Sequence, residues 1–205
     1  GIGVTSLGHS HPSLISALKN QADKIWHCSN LFKIENQQKV ADKITQNSFA
    51  KSVFFCNSGT EAVEAGVKAI RKYYNNIGSK KYKIICANNS FHGRTYAAIS
   101  ASGKTKLTEG FEPVLGGFVQ VDFNNIKQIL KVIDEKTAAI MIETVQGEGG
   151  ITPAKKEYLR DLQKIAKDND ILLFFDEVQC GIGRTGKFLA TEWVKELNPN
   201  LVAIA

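Results

Sequence analysis

Short uninterrupted apolar runs alternate along the chain with longer segments in which apolar residues recur every three or four positions. The uninterrupted runs are typical of buried strands, and the three- and four-residue spacing is typical of amphipathic helices. The predicted strands are Val53–Cys56, Tyr82–Ala87, Phe118–Val121, Ala138–Ile142, Ile171–Phe175 and Leu201–Ala205. The predicted helices are Pro12–Lys24, Glu35–Gln46, Thr60–Tyr74, Asn125–Asp134 and Ala154–Lys167.

The apolar runs are continuous rather than alternating, which predicts strands that are covered on both faces. Strands that alternate with helices in this way indicate an α/β fold, in which helices wrap a mostly parallel sheet. We expect an N-terminal helical segment at residues 1–48 that leads into one domain at residues 49–205. In such folds ligands bind outside the carboxyl ends of the strands, so the residues that follow each strand are the candidates for function.

Composition narrows the function classes without selecting one. The 205 residues are 43% hydrophobic and 22% charged, which excludes a disordered, collagen-like or coiled-coil chain. No run approaches the roughly 20 apolar residues of a membrane span, and the start of the chain does not resemble a secretory signal. The net charge of +6 comes mostly from lysine, which favours a solvated surface over a nucleic-acid site. The four cysteines are scattered, so we expect reduced thiols and a cytoplasmic protein.

The first candidate site follows the predicted strand that ends at Cys56. The sequence Asn57-Ser58-Gly59-Thr60-Glu61 opens a helix with small hydroxyl residues and a glycine. Free amides at such a helix N-terminus suit a phosphate. The alternative is an ordinary N-cap, made by Ser58 or Thr60.

The second candidate follows the strand that ends at Ala87. In Phe91-His92-Gly93-Arg94-Thr95 the aromatic ring can stack on a flat ligand, and the arginine can bind a carboxylate. A loop with a half-buried phenylalanine would give the same sequence.

Carboxylates close two further apolar strands. Asp176 directly follows Phe175, and Glu143 directly follows Ile142. A carboxylate at the end of a buried strand needs a cationic partner, such as a protonated ring nitrogen, a metal or an arginine. Arg184 is the structural alternative for Asp176. Glu148 lies nearby in a glycine-rich stretch, which indicates either a backbone close to a ligand or a flexible turn.

Two other motifs are interpreted as turns. Gly181–Gly186 fits G-x-G-x-x-G, but it follows the last complete strand and has little chain after it, which argues against a dinucleotide site. His9 and His11 precede a proline and a helix, and no third metal ligand is evident.

Taken in order, these segments are similar to the pyridoxal-phosphate-dependent class III aminotransferases, and the resemblance extends over nearly the whole chain. It is carried by the following segments: GHSHPSL (8–14), WHCSNLF (26–32), VFFCNSGTEAVEAGVKAIRKY (53–73), FHGRT (91–95), GFEP (110–113), VQGEGGI (145–151) and FFDEVQCGIGRTGKFLATEW (174–193). It implies the large domain of a fold-type I enzyme, with a mostly parallel seven-stranded sheet wrapped by helices, of which this chain is an incomplete part.

The resemblance implies pyridoxal 5'-phosphate as cofactor and a role for each matching residue. Ser58, Gly59 and Thr60 would bind its phosphate, and Asp176 would pair with its ring nitrogen. The remaining cofactor-binding residues would be Phe91 and Val178 on the two ring faces, Gln179 on the phenolic oxygen, and His92 and Glu143 around them. Arg94 would bind the substrate α-carboxylate, and Glu148 would hold or release a second arginine from outside the chain.

The implied reaction moves the δ-amino group of N-acetylornithine to 2-oxoglutarate in arginine biosynthesis, in a homodimer. The alternatives are ornithine, succinylornithine or 4-aminobutyrate as the amino donor, or a truncated binding module without activity.

Two positions depart from the family. Thr144 stands where a proline is usual, and the Schiff-base lysine, expected directly after Leu201–Ala205, is absent. We therefore expect a fragment of a longer enzyme that is inactive alone.

Overall fold

The structure, a computed structural model, describes residues 3–205 and divides into two compact units, Gly1–Phe54 and Phe55–Ala205. The first unit contains two helices, α1 (Pro12–Ala22) and α2 (Glu35–Gln46). Helix α1 begins where expected, because the His11 ring accepts the Ser13 amide and Pro12 occupies the first turn. Neither helix contains a buried residue.

The second unit is built on a five-stranded sheet, and every strand pair in it is parallel. The strands are β1 (Lys83–Ala87), β2 (Phe118–Val121), β3 (Thr137–Glu143), β6 (Leu172–Asp176) and β7 (Leu201–Ala203). Their spatial order is β2-β1-β3-β6-β7. A two-stranded hairpin, β4 (Val145–Gln146) and β5 (Thr152–Pro153), follows β3 and carries the glycine-rich stretch at its tip.

Helices cover both faces of this sheet, as the continuous apolar strands predicted. They are α3 (Gly59–Asn76), α4 (Tyr96–Ala101), α5 (Thr105–Thr108), α6 (Ile126–Val132), α7 (Lys156–Asp168) and a 3-10 helix at Ala190–Trp193. Neighbouring residues of one strand enter opposite cores: Ile84 packs with α3, whereas Ile85 packs with α6 and α7. The parallel α/β prediction is therefore confirmed for the described residues.

The predicted strand Val53–Cys56 is wrong. Residues 53–56 belong to no strand or helix, and Phe54 is 77% exposed. A strand is stable only beside a partner, and the five-stranded sheet does not include this segment. Between the loop after β1 and Gly117 the sequence predicts a helical turn and then irregular chain, whereas the structure has two short helices there, α4 and α5. Both are too short to show a clear apolar period.

All four cysteines are free thiols, in agreement with the sequence prediction. Within residues 3–205, no helix has both the length and the apolar character needed to cross a membrane.

Candidate active site at the carboxyl edge of the sheet

Two buried carboxylates lie side by side at the carboxyl edge of the sheet. Glu143 is the last residue of β3 and Asp176 the last residue of β6, and the strand register pairs them directly. Glu143 is 3% and Asp176 4% exposed. Parallel strands bring their carboxyl ends to one edge, so the sequence prediction of two strand-end carboxylates becomes a single acidic site.

The partner of Asp176 is His92, from the loop after β1. Nδ1 of His92 donates to Oδ2 of Asp176 over 2.7 Å, and Oδ1 of Asp176 accepts the Val178 amide over 3.0 Å. Burial lowers the pKa of His92, but the hydrogen bond and charge of Asp176 outweigh it and raise that pKa overall. The buried partner of the Asp176 carboxylate is thus the His92 imidazole.

Glu143 binds the same loop through the backbone. Its Oε2 accepts the Phe91 amide over 3.1 Å. Burial raises the pKa of Glu143 to about 7, although the nearby His92 and the Phe91 amide act in the opposite direction. Residues 3–205 contain no cluster of three or more side chains that could hold a metal ion.

The N-terminus of α3 has the N-cap that its sequence predicted. Ser58 is the N-cap, since its Oγ accepts the Glu61 amide over 3.3 Å. The amides of Gly59 and Thr60 belong to the first turn, where a helix offers no internal acceptor. The helix is 18 residues long and its dipole favours an anion at this end.

Two glycines bring this helix end against the carboxylate loops. A Cβ on Gly59 would lie 2.5 Å from Cγ1 of Val178, and a Cβ on Gly93 would lie 2.1 Å from Oγ1 of Thr60. Gly93 also has a φ of +119°, which other residues rarely adopt. The helix N-terminus therefore packs directly on the residues that follow Asp176 and His92.

Thr95 is a contact that sequence reasoning missed. Its Oγ1 lies 3.2 Å from Oγ1 of Thr60, which joins the loop after β1 to helix α3. The only available signal was its place at the end of the FHGRT segment.

Arg94, Glu148 and Gln179 lie at the rim rather than in the buried group. Arg94 is exposed, with its guanidinium carbon 5.8 Å from the centre of the Phe91 ring. Glu148 is exposed at the hairpin tip, where its carbonyl accepts a hydrogen bond of 3.2 Å from Lys104. A Cβ on Gly147 would lie 2.2 Å from Oε1 of Gln179, so this hairpin packs against the chain after β6.

The two dismissed motifs are turns in the structure. Gly181–Gly186 is followed by the 3-10 helix and not by a crossover helix. His11 caps helix α1 with its ring nitrogen.

Comparison with known proteins identifies the family. The sequence model of the family described as Aminotransferase class-III matches residues 1–205. The chain is 48% identical to the acetylornithine aminotransferase of Aquifex aeolicus, over 100% of its own length and 54% of that protein. It matches the crystal structure of N-acetylornithine aminotransferase from Stenotrophomonas maltophilia K279a with a TM-score of 0.83 and 37% identity, covering 100% of this chain and 51% of that one. It matches the structure of the ornithine aminotransferase from Toxoplasma gondii with a TM-score of 0.89 and 30% identity, covering 98% of this chain and 49% of that one.

The chain belongs to the class III aminotransferases. It spans about half the length of the curated relatives it matches. The recognition of the family from its sequence segments is therefore confirmed.

Pyridoxal phosphate is the cofactor that this family implies, and the residues present fit it. The Toxoplasma structure is described as holding this cofactor at partial occupancy in its active site. In the present structure, the free amides of α3 suit its phosphate, and the buried carboxylate of Asp176 suits a protonated ring nitrogen. Nε2 of His92 is buried and has no hydrogen-bond partner among the described residues, so this imidazole can only act through Asp176 or towards a bound group.

Proposed function

We propose that the protein transfers the δ-amino group of N-acetylornithine to 2-oxoglutarate, in the cytoplasm and in arginine biosynthesis. The observation that carries this proposal is the buried Asp176, fixed by His92 and placed beside the free N-terminus of α3. The names of the sequence relatives and of the Stenotrophomonas structure support the choice of substrate.

Pyridoxal phosphate, when bound, supplies an electron sink for the substrate carbon that loses its proton. Asp176 would hold the ring nitrogen in its protonated form, because a carboxylate stabilises a positive charge opposite it. Ser58, Gly59 and Thr60 would bind the phosphate. Phe91 and Val178 would cover the two ring faces, and Gln179 would bond the phenolic oxygen.

The remaining residues bind substrate or support the cofactor site. Arg94 binds the α-carboxylate of the substrate, for which its planar guanidinium is well shaped. Glu148, exposed at the tip of the two-residue hairpin ladder, would hold or release a second arginine from outside the chain. The Glu143 carboxylate positions Phe91 by accepting the Phe91 backbone amide, and its charge raises the pKa of His92.

A second amino donor is the competing candidate. The similarity to an ornithine aminotransferase structure favours ornithine, and 4-aminobutyrate and succinylornithine are further donors to test. The buried machinery is the same for all of them, so the difference lies at the rim around Arg94 and Glu148.

The test uses the protein expressed from the complete coding sequence of its gene. N-Acetylornithine, succinylornithine, ornithine and 4-aminobutyrate are compared as donors to 2-oxoglutarate by kcat/KM. We expect N-acetylornithine to lead, and Asp176→Asn to abolish turnover with every donor. A low rank for N-acetylornithine would refute the substrate, and steady activity of Asp176→Asn would refute the role of this carboxylate.

Two associated proposals need separate measurements. A homodimer is expected, with sites that both subunits complete, and sedimentation equilibrium of the protein tests it. The same coding sequence shows whether a lysine codon follows Ala205, as the covalent attachment of the cofactor requires.

A further inference from the structure

Glu177 is a second buried acid at the carboxyl edge, and the proposed reaction does not use it. It follows Asp176 directly but is fully buried, with 0% exposure. Because successive residues of an extended chain point in opposite directions, its carboxylate leaves the sheet on the side away from His92. A buried carboxylate without a role in binding requires an explanation.

Its carboxylate binds the start of the 3-10 helix. Oε2 of Glu177 accepts the Ala190 amide over 2.6 Å, and Oε1 accepts the Thr191 amide over 2.7 Å. These amides begin a helical turn and have no acceptor within it. The carboxylate thus satisfies two amides that lie 13 and 14 residues further along the chain.

The same carboxylate also binds the chain that leaves β3. Oγ1 of Thr144 donates to Oε1 of Glu177 over 3.2 Å and lies 3.4 Å from Sγ of Cys180. Thr144 comes directly after Glu143. Meanwhile the Glu177 amide donates to the Ala203 carbonyl of β7 over 2.8 Å. One residue therefore connects the ends of three adjacent strands, β3, β6 and β7.

Burial raises the pKa of Glu177, while the two amides and the Thr144 hydroxyl act in the opposite direction. Three donors to its carboxylate and one acceptor for its amide leave the side chain and backbone of Glu177 little freedom. Since Glu143 and Asp176 are the immediate neighbours of Thr144 and Glu177, their positions are restrained by the same contacts.

We propose that Glu177 is a positioning residue for the cofactor site: with Thr144 it fixes the ends of β3 and β6, and thereby the spacing of Glu143, His92 and Asp176. The inference rests on the proposed function only where it is tested by the binding of pyridoxal phosphate. Its effect on His92 is independent of any bound group.

The first test compares Glu177→Gln with Glu192→Gln in the full-length protein. Glu192 is the matched control, because it also accepts a backbone amide of this turn, that of Leu189 over 3.2 Å, but is exposed and away from the strand ends. In Glu177→Gln one of the two carboxylate oxygens becomes an amide donor, so one of the two buried amides must face another donor.

Two readouts report on position rather than stability. The first is the pH titration of the His92 imidazole by NMR in cofactor-free protein, and the second is the pH dependence of the absorption of bound pyridoxal phosphate. We expect Glu177→Gln to shift both midpoints and to weaken cofactor binding by about tenfold to a hundredfold. Glu192→Gln leaves the His92 midpoint, the absorption profile and the affinity as in the parent protein.

Two less disruptive substitutions of Thr144 test the proposal even if the Glu177→Gln variant does not fold. Thr144→Val removes the hydroxyl at nearly constant volume, and Thr144→Ser retains it. We expect a shifted His92 midpoint in Thr144→Val and recovery in Thr144→Ser. A folded Glu177→Gln or Thr144→Val protein with both midpoints unchanged overturns the proposal. If the parent protein binds no pyridoxal phosphate, the proposed function fails, and the His92 titration still decides the role of Glu177.

Discussion

Nδ1 of His92 lies 2.7 Å from Oδ2 of Asp176, and the two residues are 84 positions apart in sequence. Both are buried, so the charge on each is stabilised by the other rather than by water. The pair joins the loop after β1 to the end of β6, across the intervening strand β3. It therefore fixes the tertiary arrangement of the site.

Removal of one partner of this pair is expected to destabilise the protein strongly. His92→Leu leaves the buried Asp176 carboxylate uncompensated, which costs about 3–5 kcal/mol in the free energy of unfolding. Denaturant unfolding at pH 6 measures the loss. His27→Leu is the matched control, because His27 is exposed, and it is expected to change stability by less than about 0.5 kcal/mol. A His92→Leu protein as stable as the control would contradict the ion pair.

Glu143 is expected to make stability fall as pH rises. Its pKa is about 7 in the folded protein against 4.5 for an ordinary glutamate, so between these values the folded state binds the extra proton. Stability from this group is fully present below pH 4.5 and is lost as pH rises through 7, a change of roughly 3 kcal/mol.

The Glu143→Gln variant tests this pH dependence. We expect its unfolding free energy to change less between pH 4.5 and 7 than that of the parent protein, since glutamine does not titrate. Glu148→Gln, at an exposed position, serves as the control. Parallel curves for Glu143→Gln and the parent would mean that Glu143 has no raised pKa.

Gly59 is expected to tolerate a methyl group only if Val178 becomes smaller. The Cβ of Gly59→Ala would lie 2.5 Å from Cγ1 of Val178, and such overpacking costs about 1–3 kcal/mol. The double variant Gly59→Ala with Val178→Ala removes the clash and is expected to recover most of that loss. Thermal unfolding measures both proteins. Gly116→Ala is the control, because a Cβ there would meet nothing within 4 Å. Strictly additive losses in the double variant would refute direct contact.

Arg94 is expected to affect substrate binding more than the chemical step. Arg94→Lys keeps the charge but loses the two parallel donors, so we expect KM for the amino donor to rise about tenfold, with kcat changed much less. Steady-state kinetics of the full-length protein separate the two constants. Arg160→Lys, on the exposed side of α7, is the control. A fall in kcat with KM unchanged would place Arg94 in another role.

The sequence by itself determined the five strands of the parallel sheet, helices α3, α6 and α7, and the residues that follow β1, β3 and β6. These features are local, because strand and helix periods are visible within a few residues, and the parallel fold then gathers the strand ends at one edge. The segments FHGRT and FFDEVQ also identified the family, which the comparison with known proteins confirmed.

The tertiary structure alone decided which side chains meet. His92 pairs with Asp176, Glu177 binds amides beyond the next turn, and Val53–Cys56 joins no strand of the sheet. Each of these outcomes depends on a contact between residues distant in sequence. A buried charge is stabilised by the group that pairs with it, and a strand by the neighbouring strand to which it is hydrogen-bonded. No local pattern of residues specifies that partner.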